Sequence, residues 1–510
     1  MIHSAPRRYK GVLHQRVVEA EGERTALRLR LTGAALALTL LILGTTVDRQ
    51  PAGIALLAYL AGVLAIGFAW RERAGRDEAS YFVADRSLST FWGFVGLASL
   101  TTGGSTTIAL AAFVYTRGVS GLWLDFAGAL GLLALGLFLA KRVRREAAVT
   151  LPEIVGRYYG PRARAAAAIL VLVSEIVWFA LLIEGTQVVL TAAFGLEPVL
   201  AIVGSTAVFV LYTSLGGQFA VVRTDLLQYG LMVVGIPGVA LACTLARVRH
   251  FPDLPAGFWS FPTSPTVSWG EIAALLVLVG LPHLVGSDVY SKVLSCRDEA
   301  TARRSALLAA ASKIVFGVSV AILALAARQA LPPGPAGLTL PRAILAFVPA
   351  PLASLVLVSL VATLHTSADI VLLSAAAVTT RDLLAPALGR PVPLGVARAL
   401  SPLYGALGLT VALAMDRNVI ETLKLGYSIF SAGLILPVLA AFLPARWSVP
   451  PAGAIAAMIA GGAVAAAGRI FPEIARHGDP VLLGTGVNLL ILAAAFSAAR
   501  LGPGARERSA

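Results

Sequence analysis

The feature that most constrains this chain is an interruption. Between Leu97 and Leu110 a long apolar segment gives way to Ala98-Ser99-Leu100-Thr101-Thr102-Gly103-Gly104-Ser105-Thr106-Thr107, a run rich in small polar residues and glycines. An apolar helix needs about 20 residues to cross hydrocarbon. Irregular backbone at that depth is tolerated only where protein buries it or a cavity borders it. A second interrupted segment, Gly280-Leu281-Pro282-His283-Leu284-Val285-Gly286-Ser287-Asp288, follows about five helices later. Paired breaks in two halves of a polytopic chain point to a midplane binding site, so the pattern implies movement of a solute across a membrane.

Composition agrees with an all-α integral membrane protein. Of 510 residues, 57% are hydrophobic and only 13% charged, more apolar surface than a soluble core of this size needs. The net charge of +14 does not point to nucleic acid, because the basic residues stand in short blocks between apolar stretches without interleaved aromatics. Cys243 and Cys296 fall in or beside apolar segments and supply neither a disulfide framework nor a metal site. The polar stretch from Met1 to Arg30 is too long for the charged region of a signal peptide and is expected to be retained.

Walking the chain with the 20-residue rule gives about 14 spans, near 32–46, 52–70, 91–115, 120–140, 164–192, 197–215, 219–247, 269–293, 303–329, 345–380, 395–415, 419–443, 451–468 and 480–499. With both termini cytoplasmic, roughly 30 of the 41 Lys and Arg fall inside, among them the blocks Arg71–Arg76, Lys141–Arg145 and Arg297–Arg304. A bacterial cytoplasmic membrane is the expected location. The loop 248–268, with Phe251, Trp259 and Phe261 among prolines, falls outside as an interfacial cap. The interrupted spans each open a run of five, which divides the chain into a basic N-terminus with two peripheral helices (1–90), a first repeat (91–247), the outer loop (248–268), a second repeat (269–443) and two peripheral helices with a short tail (444–510).

Several motifs carry a family resemblance. Tyr81-Phe82-Val83-Ala84-Asp85-Arg86-Ser87-Leu88 precedes the glycine-rich helix. Farther on stand Tyr212-Thr213-Ser214-Leu215-Gly216-Gly217-Gln218-Phe219-Ala220-Val221-Val222-Arg223-Thr224-Asp225-Leu226-Leu227-Gln228, then Thr366-Ser367-Ala368-Asp369 and Thr380-Arg381-Asp382. In this order, over about residues 52 to 443, they resemble the sodium:solute symporter family. The resemblance implies a LeuT-like five-plus-five inverted repeat with extra terminal helices, and sodium-coupled symport of a small organic solute by alternating access.

Sodium is a hard cation, and in a membrane its cheapest ligands are unwound carbonyls and hydroxyls. Thr363, Thr366 and Ser367 lie at helical spacing on one face, so one carbonyl and two hydroxyls can converge. The resemblance adds carbonyls that align with Ser99 and Thr102. It also aligns Asp225 with an acid near the cytoplasmic sodium exit; Asp369 is a second coupling candidate. Substrate contacts are expected from the breaks and the third core helix, at Thr101, Gly103, Gly104, Glu184, Gly286 and Asp288. Intramembrane acids are costly and count as functional candidates, but Asp288 serves a helix-capping reading equally well.

Enzymatic chemistry is not expected. Glu175 and Glu184 are nine residues apart and cannot form a paired-carboxylate site. His283 and His365 lack a third ligand at metal spacing and read as satisfied polar contacts. Gly103-Gly104 lacks a P-loop lysine, which disfavours ATP-driven transport. Sodium and the solute are the ligands, the bilayer the setting, and no other cofactor or protein partner is indicated. Departures from the family at Thr101, Gly286, Asp288 and Tyr290-Ser291-Lys292 prevent transfer of a particular solute. A solute sensor with a separately encoded signalling partner is the alternative class, and proton coupling through Asp288 or Asp369 is the alternative coupling.

Overall fold

The computed structural model describes residues 51–103, 105–250, 254–414 and 419–501. Every regular element among them is helical, with only two isolated bridges, Leu88 to Cys296 and Ser264 to Val267, of strand character. We number the principal helices α1 (Pro51–Ala74), α2 (Thr90–Thr102), α3 (Ser105–Arg117), α4 (Val119–Glu146), α5 (Pro161–Phe194), α6 (Pro198–Ser214), α7 (Gly216–Arg247), α8 (Trp269–Ser295), α9 (Glu299–Ala330), α10 (Thr339–Phe347), α11 (Ala350–Leu388), α12 (Leu394–Ala414), α13 (Ile420–Ala441), α14 (Pro451–Ile470) and α15 (Pro480–Arg500). Short helices at Glu78–Val83 and Leu151–Tyr159 connect them.

Among the described residues, eleven helices are long and apolar enough to cross a membrane, or 12 when α2 and α3 count as one bent span. The expected count of about 14 is not confirmed by the described residues. The first expected span, 32–46, lies outside the described residues, and the expected span 197–215 is the shorter helix α6. The expected span 345–380 starts late, because Val348 and Pro349 separate α10 from α11.

Burial divides the bundle. Helix α11 has 89% of its apolar window buried, whereas the terminal α15 has 22%, which makes α11 the central post and α15 a peripheral, lipid-facing helix. Large apolar side chains such as Phe138 and Leu490 stand outward, as lipid rather than water requires. Helices α2, α5, α6, α7 and the second half of α8 pack on α11. The two motif segments nearest the N-terminal half also meet: Gly217, at φ +51 in the kink where α6 gives way to α7, would carry a β-carbon 2.6 Å from the Tyr81 ring. Glycine is the residue that supplies this backbone without strain.

Both breaks are present but unequal. Helices α2 and α3 meet at 47°, with Gly103 extended between them. In α8 the helical dihedrals lapse at the single residue Gly286 (φ −67, ψ 141), and the helix resumes at Ser287 within one continuous span, Trp269–Ser295. Gly104 is outside the described residues, so its expected substrate role has no structural counterpart here.

Candidate functional site

At the end of α2 the helix runs out of intrahelical partners for its last carbonyls. The Ser99 carbonyl accepts from Gly103 N–H at 2.9 Å and from the Thr366 hydroxyl of α11 at 3.1 Å. That hydroxyl also lies 3.0 Å from the Thr363 carbonyl. One residue on, the Ser367 hydroxyl donates to the Leu100 carbonyl at 3.2 Å. A methyl group built on Gly103 would fall inside contact distance of Thr366 Oγ1, at 2.5 Å from the Thr363 oxygen and 2.6 Å from that of Ser99. Three oxygens thus surround a point that only a glycine leaves open. Ser99, Thr363 and Thr366, all expected sodium ligands, come together there. Thr102 does not join them in the same way, because its carbonyl accepts the Thr107 hydroxyl at 2.8 Å.

Beside this point lies a small cavity of about 50 Å³ between α2, α5, α8, α11 and α13. Its wall combines Thr101 and Gly103 at the end of α2 and Ser367 of α11 with Asp288 and two aromatic rings, Trp178 and Tyr427. Those rings have centroids 5.0 Å apart at 49°, and Trp178 Nε1 is buried without a hydrogen-bond partner. The Asp288 carboxylate caps the resumed part of α8, accepting from Val289 N–H at 2.8 Å, while bordering the cavity. Capping and cavity lining therefore coexist. Gly286 places its carbons against Asp288 and the Pro282 carbonyl, so a β-carbon there would lie 2.5 Å from Asp288 Oδ1.

Other expected residues lie elsewhere. Glu184 is buried with its carboxylate 3.1 and 3.2 Å from the Thr422 hydroxyl, behind the cavity wall and not on it. Glu175 takes a separate partner, Ser374, which in turn meets Ser287 at 3.0 Å. His283 Nδ1 bonds the Val279 carbonyl at 2.8 Å, whereas His365 Nδ1 is buried without a partner, its ring held between Tyr59 and Phe209.

Asp225 is buried and paired at 2.6 Å with Lys292 of α8. Arg223, its sequence neighbour, turns away to stack on Trp70 and Trp92. Thr224 of α7 reaches Asp369 Oδ2 at 3.5 Å, and Asp369 Oδ1 accepts from Ile370 N–H at 2.7 Å. A second buried pair, Lys313 of α9 with Asp125 of α4 at 2.6 Å, was missed in the sequence reading. Both lysines sit in apolar segments, where an ionisable side chain is a functional candidate by default, and that rule alone would have flagged them.

The two ends of the bundle are tied differently. On the side expected to face the cytoplasm, Arg86 donates to the Ala147 and Ala148 carbonyls at 2.7 and 3.0 Å, and Leu88 N–H donates to Ser295 at 3.1 Å. At the other end the loop before α8 folds over α4: Phe261 stacks on Trp123 at 5.6 Å and Trp123 Nε1 donates to the Pro262 carbonyl at 2.9 Å.

Known proteins supply the remaining comparison. Residues 81–246 match the model of the sodium:solute symporter family. The high-affinity choline transporter 1 of Caenorhabditis elegans is 26% identical over 263 residues, 50% of this chain and 44% of that protein. The sodium/proline symporter of Escherichia coli (strain K12) is 27% identical over 195 residues, 36% of this chain and 38% of that protein. The chain thus spans less than half the length of these relatives. Among solved structures, a Na+-coupled sialic acid symporter in a substrate-bound outward-open state superposes with a TM-score of 0.73 at 18% identity, covering 89% of this chain and 98% of that one. The shared architecture is the LeuT-like fold.

Proposed function

We propose that this chain, which carries the sodium:solute symporter pattern over residues 81–246, is a sodium-coupled secondary transporter for a small organic solute bearing a positively charged nitrogen. The observation that carries the reading is the convergence of the Ser99 carbonyl, the Thr363 carbonyl and the Thr366 hydroxyl at the point Gly103 leaves open. A sodium ion there takes lone pairs from helices α2 and α11 at once. It thereby ties the broken helix to the central post.

Gly103, at the centre of the oxygen cluster, and Ser367, next to Thr366, also line the cavity, so ion and solute share a wall. Trp178 and Tyr427 offer π faces and Asp288 a carboxylate, the chemistry that holds an ammonium group. Choline and proline, the solutes named for the two relatives, both carry such a nitrogen. Rocking of one helical unit against the other would then expose both ligands to the opposite side. A potential of about 100 mV contributes roughly 2.3 kcal/mol per charge moved, which at about 1.4 kcal/mol per tenfold sustains on the order of fiftyfold accumulation.

The test is uptake of radiolabelled choline and proline into proteoliposomes under an inward sodium gradient, with a potassium gradient as the reference. Sodium-dependent uptake that disappears in Thr366→Ala supports the assignment. Uptake of either solute that ignores sodium and follows a pH gradient instead overturns it.

A further inference from the structure

The α9 ammonium at Lys313 lies against the same broken helix as the proposed sodium ion, two carbonyls beyond that of Ser99. Lys313 is fully buried and donates to the Thr101 carbonyl near the end of α2. It is also paired with Asp125 Oδ1 at 2.6 Å, while Asp125 Oδ2 is buried without a hydrogen-bond partner. His283 stands beside the ammonium, since a β-carbon on Gly128 would lie 2.7 Å from Lys313 Cε and 3.0 Å from His283 Nε2.

This pocket is built, not incidental. Gly128 sits one turn from Asp125 on α4 and makes room for the Lys313 stem, and Gly317 sits one turn from Lys313 on α9 and makes room for Asp125 Oδ2. Each helix therefore presents a charge and, one turn on, a glycine for the partner's charge. Carbonyls freed at a helix break are cation ligands in this class of fold. Here one of them is held by a cation that cannot leave.

We propose that the Lys313 ammonium is a tethered cation filling what would otherwise be a second sodium pocket, formed by the Thr101 carbonyl and the Asp125 carboxylate, so that the chain binds one exchangeable sodium per cycle. The proposal deepens the sodium reading of the Thr366 site and rests on it for the wild-type count. Lysine and sodium carry the same charge, and a carboxylate plus a carbonyl suits either. Removal of the ammonium therefore leaves a negatively charged oxygen pocket of the right chemistry for the free ion.

Equilibrium binding of 22Na+ to the detergent-purified full chain separates the possibilities. One ion is expected per wild-type chain and none for Thr366→Ala. Two are expected for Lys313→Ala, and one again for Lys313→Ala with Asp125→Asn. Lys313→Gln, which keeps a hydrogen-bond donor but drops the charge, takes the place of Lys313→Ala should that variant fail to fold. Two ions in the wild type, or no ion gained in either neutral Lys313 variant, overturns the tethered cation. A wild-type ion that survives Thr366→Ala overturns the Thr366 site alone, because the Asp125-dependent gain at Lys313 is read as a difference from the wild-type count.

Discussion

Substitution of Gly103 by alanine tests the proposed ion site with a single methyl group. The new carbon would stand 2.5 Å from the Thr363 oxygen, 2.6 Å from the Ser99 oxygen and closer still to the Thr366 hydroxyl. It would occupy the point where a cation has to sit. At a concentration 100 times its dissociation constant, a bound ion adds about 2.7 kcal/mol of apparent stability. A tenfold loss of affinity leaves about 1.4 kcal/mol and a hundredfold loss about 0.4 kcal/mol. We expect the hundredfold case or worse, because three oxygens are displaced at once. Thermal unfolding in sodium against equal potassium measures the difference; choline is unsuitable as the reference ion because it is a candidate solute. Gly93→Ala, also on α2, is the control: it crowds Ser305 Oγ of α9 and Cys296 Sγ just after α8, at 2.6 and 2.9 Å, away from the oxygen cluster. Gly93→Ala should lower the melting temperature and keep the full sodium response. A full sodium response in Gly103→Ala would refute the placement of the ion.

Three further outcomes follow from the geometry. Trp178→Ala removes one π face of the cavity, and a desolvated cation–π contact of about 2 kcal/mol corresponds to roughly thirtyfold weaker uptake affinity for a cationic solute; unchanged affinity for choline and proline alike would remove the ring from the site. Lys292→Met leaves Asp225 buried and unpaired and should destabilise the protein by about 3–5 kcal/mol, with much of the loss recovered on adding Asp225→Asn; denaturant unfolding of the single and double variants against the wild type checks this, and no recovery would mean the pair is not coupled. At the surface, the Asp298 carboxyl is held below the usual range by the Thr301 amide it caps. Its contribution is present above the ordinary value near 4 and is lost as pH falls through the lowered one. Asp298→Asn keeps the cap and should flatten that acid limb of the stability profile, whereas an unchanged limb would assign it to other carboxyls.

What the sequence made legible was whatever local spacing encodes. The polar run 98–107 marked the broken helix, and the spacing of Thr363, Thr366 and Ser367 put one carbonyl and two hydroxyls on a shared face of α11. Partners across helices were not legible. Asp225 stands two residues from Arg223 in the chain, yet its base is Lys292, 67 residues away on α8. Arg223 instead packs on two indoles because it has aromatic faces within reach at the helix surface. Likewise nothing near Lys313 names Asp125, 188 positions earlier, and the glycines that admit the pair look like ordinary small membrane residues. The fate of the Thr102 carbonyl turned on a rotamer: Thr107 reaches back across the break and takes it.

The buried charges near α11 give the last prediction. Asp225 of α7 is paired with Lys292, whereas among the described residues no basic nitrogen lies within ion-pair distance of Asp369 of α11. Asp369 is three residues beyond Thr366 on the same helix, a spacing of about 5–6 Å between β-carbons. When Asp369 is ionised, it places an unpaired negative charge one turn from the proposed ion. At about 6 Å and an effective dielectric of about 20, that charge attracts sodium by about 3 kcal/mol as an upper bound. Asp369→Asn should therefore weaken sodium affinity by up to about a hundredfold while leaving every oxygen of the site in place. Sodium titration of the melting temperature reads the shift directly. An unchanged titration midpoint would mean that the charge of Asp369 does not reach the ion, and its burial would then have to be explained by its contacts with Thr224 and Ile370 alone.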